Sequence, residues 1–210
     1  MDQSKTFQEY FNELSSSSPT PGGGNVSAIC GALASSLGTM VCNLTIGKKK
    51  YADVEQDMIS VKEKLEDYKK KFFDLGEKDN AAFNKVMEAM KLPKESDKEK
   101  TDRAKAIEEA TLGAVDVPSS VMQTAKELIQ LIKVVIDKGN KNSLSDAGVA
   151  AALISTASQG AYLNVLINCA SLTNQIIAEE IKKRAEILLD ETWQESYALL
   201  DTVYSKIKQQ

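Results

Sequence analysis

Proton transfer in this chain falls to side chains other than histidine, because the sequence contains none. Any general acid or base must therefore be Asp, Glu, Lys or Tyr. Asp79 is the foremost candidate because of its place in a hydrophobic repeat. Met58, Leu65 and Phe72 are spaced seven residues apart on one face of a predicted helix. The next position of that row is occupied by Asp79, which predicts a carboxyl group on a buried helix face.

Two interpretations of Asp79 are open from the pattern alone. In the first, the apolar row is broken next to Gly76 and the carboxylate faces water. In the second, burial raises the pKa of the acid and suits it to proton transfer near neutral pH.

Asp146 and two asparagines are polar side chains on otherwise apolar segments. Asp146 follows Ser145 at the start of a predicted helix. It either caps that helix and interacts with its dipole or grips a donor pair of a ligand. Asn164 and Asn168 are four residues apart and share one helix face. They are either core residues with satisfied amides or groups that recognise the edge of a heterocycle.

A run of glycines precedes the first apolar helix. Gly22, Gly23 and Gly24 are followed by Asn25. Because glycine has the largest backbone entropy to lose, such a run indicates a sharp turn, close packing or close approach of the backbone to a ligand.

A cluster of cations follows the same apolar helix, at Lys48, Lys49 and Lys50, next to Tyr51. These lysines are either solvated charges at a helix C-terminus or contacts for an anionic small molecule. The net charge of −4 leaves no broad basic face, which argues against nucleic acid as a partner.

Cysteine usage and the N-terminus bound the chemistry further. The cysteines lie in apolar runs without paired spacing, which predicts reduced core residues. With histidine absent as well, no metal site is expected. The N-terminus carries charges and no apolar stretch typical of a signal peptide, which predicts a cytoplasmic protein. The cysteines are Cys30, Cys42 and Cys169.

Helical periodicity dominates, and no segment alternates as a strand does. The sequence predicts an all-α protein, with residues 1–210 forming one multi-helical bundle domain. Pro118 should kink or split the helix that contains it. The predicted elements are a short amphipathic helix at 7–14, a loop at 15–24, helices at 25–46, 54–90 and 97–137, a helix from 145, and a last helix at 174–207.

Two predicted helices are almost free of charge, one within residues 25–47 and one after Asp146. Helices that are apolar all round are typical of the centre of a bundle. Their Ser, Thr, Asn and Gln content and the lack of aromatic belts argue against a membrane span. Their small residues favour a tightly packed homodimer.

Several short motifs occur in one order along the chain. They are 21-PGGGN-25, 44-LTIGKKKY-51, 79-DNAAF-83, 89-AMKLPK-94, 117-VP-118, 139-GN-140, 145-SD-146 and 160-GAYLNVLIN-168. Together they resemble the formiminotetrahydrofolate cyclodeaminase and methenyltetrahydrofolate cyclohydrolase family over essentially the whole chain. Asn25 departs from the pattern, because the family commonly has Ser after the glycines.

The resemblance implies an all-helical homodimer that binds a tetrahydrofolate derivative near the subunit interface and needs no further cofactor. It implies that Asp79 moves the proton and Asp146 orients the pterin, or the reverse. The glycine loop is expected to approach the ligand, and the lysines to hold its anionic glutamate tail. The other expected contacts are Asn25, Asn164 and Asn168, with Lys50 and Tyr51 as secondary polar groups.

Two reactions fit the resemblance. In cyclohydrolysis, water opens the methenyl bridge and gives 10-formyltetrahydrofolate. In cyclodeamination, N10 attacks a formimino carbon and ammonia leaves. Because 210 residues leave no room for a formiminotransferase domain, the cyclohydrolase is the expected activity. Cyclodeaminase is the alternative, and a helical dimer that binds folate without turnover is a further one.

Overall fold

The computed structural model describes residues 5–209. Residues 1–4, on which the expectation of no signal peptide partly rests, and residue 210 lie outside this range. Within it, all regular structure is helical, so the predicted all-α class is confirmed. The α-helices are α1 (Phe7–Leu14), α2 (Gly23–Thr45), α3 (Glu55–Met90), α4 (Asp97–Lys138), α5 (Leu144–Cys169) and α6 (Gln175–Lys208), with short 3₁₀ helices at Lys49–Val54 and Lys141–Ser143.

The two helices that are almost free of charge, α2 and α5, lie side by side at the centre. α2 packs against α3 and α5, and α5 also packs against α4 and α6. The two central helices run in opposite directions, because Gly160 of α5 faces Ser27 near the start of α2. Asn140, just before α5, donates its backbone N–H to Thr45 at the end of α2. We call the end with Gly22–Gly24 the glycine end, and the end with Lys48–Lys50 the lysine end.

The predicted hydrophobic row of α3 is confirmed. Met58, Leu65 and Phe72 are fully buried. The Phe72 ring lies against Gly31 of α2, where an added Cβ would come within 2.5 Å of the ring atom Cδ1. This close contact fixes α3 against α2 seven residues before Asp79. It therefore determines where the side chain of Asp79 lies relative to α2.

The predicted split at Pro118 does not occur, because α4 continues through this residue. A proline at this position has no N–H to donate to the carbonyl of Ala114, four residues earlier. The amide Nδ2 of Asn168 on α5 donates to that carbonyl at 2.8 Å instead. The neighbouring helix therefore supplies the hydrogen bond that the proline removes.

The cysteines are free thiols, as predicted. Cys42 and Cys169 are buried and Cys30 is half-buried. Burial raises the pKa of each thiol, to about 11 for Cys42. They are therefore protonated core side chains at neutral pH.

Candidate active site

A cavity of about 420 Å³ lies at the glycine end, bounded by α2, α3, α4 and α5. It brings together residues that are far apart in sequence and that the sequence analysis singled out. Those residues are Gly22, Gly23, Gly24, Asp79, Asn164 and Asn168. The structure thus places half of the predicted site residues around one volume, with the backbone of a helix start on one side and three polar side chains on the others.

Asp79 is held against the first turn of α2. That helix begins at Gly23, two residues earlier than predicted, so Gly23 and Gly24 belong to its first turn. A Cβ on Gly24 would lie 2.6 Å from Cγ of Asp79 and 2.7 Å from its Oδ2. The absence of a side chain at Gly24 is therefore what allows the carboxyl group to reach the start of the helix.

The electrostatics of Asp79 combine two opposing effects. Burial raises the pKa of its carboxyl group, and a hydrogen bond from the backbone N–H of Asn25 lowers it by a smaller amount. That N–H is one of the donors that a helix start leaves without an intrahelical partner. The carboxyl group thus lines the cavity with a pKa above its ordinary value, which agrees with the second interpretation of this residue.

Asn25 supports the site from beneath rather than facing the cavity. Its side chain is 0% exposed. Its Oδ1 accepts a hydrogen bond from the Tyr10 hydroxyl at 3.0 Å, and its Nδ2 donates to the carbonyl of Gly76 at 2.8 Å. Both ends of the Asn25 amide are therefore bonded to protein, and the expected contact of Asn25 with substrate stays a prediction. The side-chain amide of Asn25 bonds to Gly76 of α3 and so fixes the position of Asn25. The backbone N–H of this residue bonds to Asp79.

Asn164 and Asn168 present oxygen atoms to the cavity. Asn164 donates Nδ2 to the carbonyl of Gly160 at 2.8 Å, and Asn168 donates Nδ2 to that of Ala114. Within residues 5–209, no hydrogen-bond donor reaches either Oδ1. Because each nitrogen is held by a backbone carbonyl, both side chains are oriented as acceptors for N–H groups of a ligand.

Thr111 is a polar lining residue that the sequence analysis missed. It is 3% exposed and lies on the cavity wall. Its Oγ1 has no hydrogen-bond partner in the described part of the chain. Thr124 bonds to the carbonyl of Ser120, four residues earlier, whereas the buried Thr39 of α2 shares with Thr111 the lack of a partner among the described residues. A buried hydroxyl without a partner is costly, and Thr111 is the one of these two threonines that lines the cavity, where a ligand atom could meet it.

The apolar walls were also missed as site residues. On α3 they follow helical spacing from Asp79, at positions four, seven and eleven residues later, so the spacing itself could have found them. The cavity's other large apolar side chains come from α3, α4 and α5. The apolar lining consists of Ala82, Phe83, Val86, Met87, Met90, Ile107, Ala114 and Ile167.

Lys48, Lys49 and Lys50 do not reach this cavity within one chain. They are exposed at the lysine end, and α2, with 23 residues, separates the two ends by about 34 Å. Tyr51 is used structurally there, because its hydroxyl oxygen accepts the backbone N–H of Lys141 at 3.0 Å. Within one protomer, the lysines and the glycines therefore do not surround the same pocket, and the expected role of the lysines at the glutamate tail stays a prediction.

Asp146 lies in the first turn of α5, also at the lysine end, and is half-buried. This position fits its interpretation as a favourable charge at a helix start. It lies far from Asp79, so within one chain the two aspartates do not share a pocket.

A larger groove of about 760 Å³ runs along α3 and α4. It contains none of the predicted site residues, and alanines make up much of its lining. Its charged members, Lys78, Lys85, Glu88 and Glu109, are all exposed. The groove therefore lacks the convergent, partly buried polar groups that distinguish the smaller cavity.

Comparison with known proteins agrees with this geometry. Residues 6–187 match the family model described as formiminotransferase-cyclodeaminase. The chain is 42% identical over 207 residues to a methenyltetrahydrofolate cyclohydrolase of Methylorubrum extorquens, covering 99% of this chain and 100% of that protein. It is 31% identical to a formimidoyltransferase-cyclodeaminase of Mus musculus, covering 94% of this chain and 36% of the mouse protein.

A solved structure shows the same fold. The formiminotetrahydrofolate cyclodeaminase of Thermotoga maritima superposes with a TM-score of 0.80 at 33% identity. The match covers 97% of this chain and 96% of that one. The chain described here belongs to the formiminotransferase-cyclodeaminase family.

Proposed function

We propose that this protein is a methenyltetrahydrofolate cyclohydrolase, which converts 5,10-methenyltetrahydrofolate and water to 10-formyltetrahydrofolate. The observation that carries the proposal is the convergence of the glycine turn, Asp79 and two asparagine acceptors on one apolar-walled cavity. The full-length similarity to a relative named as a cyclohydrolase favours this reaction over others in the family.

The cavity suits a reduced pterin in chemical terms. The pterin carries N–H donors on one edge and a flat ring face. The Oδ1 atoms of Asn164 and Asn168 accept from the donor edge, and Phe83 and Val86 supply apolar contact for the p-aminobenzoyl ring that follows the bridge. Asp79 then lies beside the bridge that joins N5 and N10.

The chemistry requires one proton-carrying group. Water adds to the bridge carbon of the cationic amidine, and the Asp79 carboxylate accepts a proton from that water. The tetrahedral intermediate then collapses: its C–N5 bond breaks, Asp79 returns the proton to N5, and the hydroxyl proton leaves to solvent as the formyl group forms on N10. A raised pKa suits one carboxyl group to both steps near neutrality. Water and the folate are the only reactants, so the proposal includes no further cofactor.

Cyclodeamination remains the second candidate, because the solved relative of similar length is titled a cyclodeaminase. In that reaction N10 attacks the formimino carbon on N5, and Asp79 protonates the departing ammonia.

A direct assay distinguishes the two reactions. Purified protein is mixed with 5,10-methenyltetrahydrofolate, and we expect its near-ultraviolet absorption band to disappear much faster than in buffer alone. The same preparation is given 5-formiminotetrahydrofolate while ammonia is measured. Ammonia release without accelerated loss of the methenyl band would assign cyclodeamination. Folate binding with neither activity would leave a folate-binding helical dimer without turnover.

We further propose that a second copy of the chain covers the outer face of α2 and α5. Both the α2 span Gly23–Thr45 and the span Lys141–Cys169 are long and apolar enough to cross a membrane by length and composition. In the bundle, one side of each packs on neighbouring helices, and the other side exposes apolar side chains. The large ones are Leu33, Met40, Leu44, Val149, Leu163 and Ile167.

The size of this face supports a dimer. Two adjacent helices, about 34 Å and about 39 Å long and each about 10 Å wide, offer roughly 730 Å² per copy, or about 1,500 Å² in total. That total falls within the ordinary range for a stable interface. A two-fold axis perpendicular to α2 would set the lysine end of one copy beside the glycine end of the other.

Subunit complementation tests this arrangement. An Asp79→Asn chain and a chain with Lys48, Lys49 and Lys50 all changed to Gln are each expected to be impaired. Co-expressed, they should form mixed dimers with one intact composite site, giving about a quarter of wild-type activity. If activity does not recover although the mixed dimer forms, the composite site is refuted. A monomer by light scattering would refute the dimer itself.

A further inference from the structure

Arg103, a cation that the sequence analysis did not single out, lies next to the cavity lining rather than in it. Ile107 and Thr111 line the cavity from α4. Arg103 lies one turn before Ile107 on the same face of that helix. It is one of only two arginines among the 26 basic residues of the chain, the other being Arg184.

The guanidinium of Arg103 is held in place by the end of α3. Its Nε and Nη2 donate to the carbonyl oxygen of Met90 at 3.2 and 2.9 Å. That carbonyl is among the last four of α3, which have no intrahelical partner. Met90 itself lines the cavity. The edge of the guanidinium that carries Nε and Nη2 is therefore bonded to the cavity rim. Among residues 5–209, no acceptor is bonded to Nη1.

The lining of α3 gives the cavity a direction. Asp79 lies at the polar end, Phe83 and Val86 follow, and Met90 lies at the rim. The eleven helical steps from Asp79 to Met90 span about 16 Å. In a folate whose reactive bridge lies beside Asp79, the p-aminobenzoyl unit and the glutamate extend beyond the bridge. Along this direction they run from Asp79 toward Met90, so the glutamate group comes near the rim.

We propose that Arg103 binds a carboxylate of the folate glutamate tail. A planar guanidinium pairs with a carboxylate through parallel N–H···O bonds, and anchoring on Met90 restricts its orientation before the ligand arrives. The assignment rests on the proposed function. Because the glutamate carries two carboxylates, Arg103 is a further cation for the tail beside Lys48–Lys50 of a partner copy.

Two substrates separate this role from a structural one. One is 5,10-methenyltetrahydrofolate, and the other is the methenyl derivative of tetrahydropteroate, which has the same reacting atoms but no glutamate. For Arg103→Gln we expect KM to rise about tenfold to a hundredfold for the folate and to stay unchanged for the pteroate. The glutamine amide can still donate to the Met90 carbonyl, so the end of α3 keeps its hydrogen bond. We expect kcat to be unchanged for both substrates.

Controls decide among the alternatives. Arg184→Gln makes the same change on α6, away from the cavity lining, and should alter neither KM. An equal rise for both substrates would show a structural role and overturn the proposal, as would no change for either. A tail-specific rise in the Lys48–Lys50 variant but not in Arg103→Gln would return the role to the lysines. If the wild-type protein turns over neither substrate, the proposed function fails, and calorimetric affinities for the two ligands then test Arg103 by the same comparison.

Discussion

Asp79→Asn is expected to lower kcat by about 10²–10⁴-fold, because general acid–base catalysis by a placed side chain contributes on that order. The amide cannot accept a proton from water and return it to N5. It keeps the size of the carboxyl group, and its Oδ1 can still accept the N–H of Asn25. The fold should therefore persist while the rate falls.

Asp67→Asn provides the matched control, because Asp67 is exposed on the same helix and pairs with nearby Lys70. The decay of the methenyl absorption is measured for both variants under single-turnover and steady-state conditions. Retention of more than a tenth of the wild-type rate in Asp79→Asn would remove Asp79 from the proton path.

Because burial raises the pKa of Asp79, Asp79→Asn is also expected to change the free energy of unfolding, and this effect favours the fold although the rate falls. A carboxyl group whose folded pKa lies above its unfolded value stabilises the fold below the unfolded pKa. That contribution is lost as pH rises through the folded pKa, where a buried group must ionise. Asp79→Asn should therefore leave the free energy of unfolding unchanged or higher at pH 8. Urea denaturation at pH 5 and pH 8 measures this, and a variant that is less stable at pH 8 than at pH 5, relative to wild type, would contradict it.

The second large effect is expected for Gly24→Ala. The new methyl group would lie 2.6–2.7 Å from Cγ and Oδ2 of Asp79, which is too close for real atoms. Either the carboxyl group moves or the start of α2 moves. We expect a loss of about 1–3 kcal/mol of stability from overpacking. We also expect a rate loss approaching that of Asp79→Asn, because the proton carrier is displaced.

Two other glycines calibrate this result. Gly23→Ala lies in the same turn, but its Cβ would approach nothing nearer than Nδ2 of Asn164 at 3.5 Å, an ordinary contact. Gly113→Ala on α4 meets nothing within 4 Å. It should raise stability by about 0.5–1 kcal/mol through helix propensity. Equal effects of the substitutions at Gly23 and Gly24, in urea denaturation and in rate, would show that the contact with Asp79 is not the cause.

Local patterns predicted much of the fold and part of the site. The seven-residue row of α3 identified Asp79 as an acid on a buried face, since burial follows from helical spacing that the sequence contains. The asparagines of α5 were found for the same reason. The structural role of Asn25 was not predicted because its partners, Tyr10 and Gly76, lie on other helices, and no local pattern encodes a contact between elements.

The lysines show a second kind of limit. Lys48–Lys50 and the glycines flank one helix, so they are neighbours in the sequence pattern but lie at opposite ends of a rigid rod. Distance along a helix is fixed by its rise per residue, and the length of α2 could have separated the two groups in advance. Arg103 was missed because its importance depends on the end of α3, which is brought to it by the turn between two long helices.

The hydrogen bond from Asn168 to the carbonyl of Ala114 makes position 168 on α5 depend on position 118 on α4. An alanine at 118 would restore an intrahelical donor for the Ala114 carbonyl, and the amide of Asn168 would then be free to rotate. The orientation of the Asn168 Oδ1, the acceptor proposed for a pterin, is thus set by Pro118 on α4. Within the family, the residues at positions 118 and 168 should therefore covary.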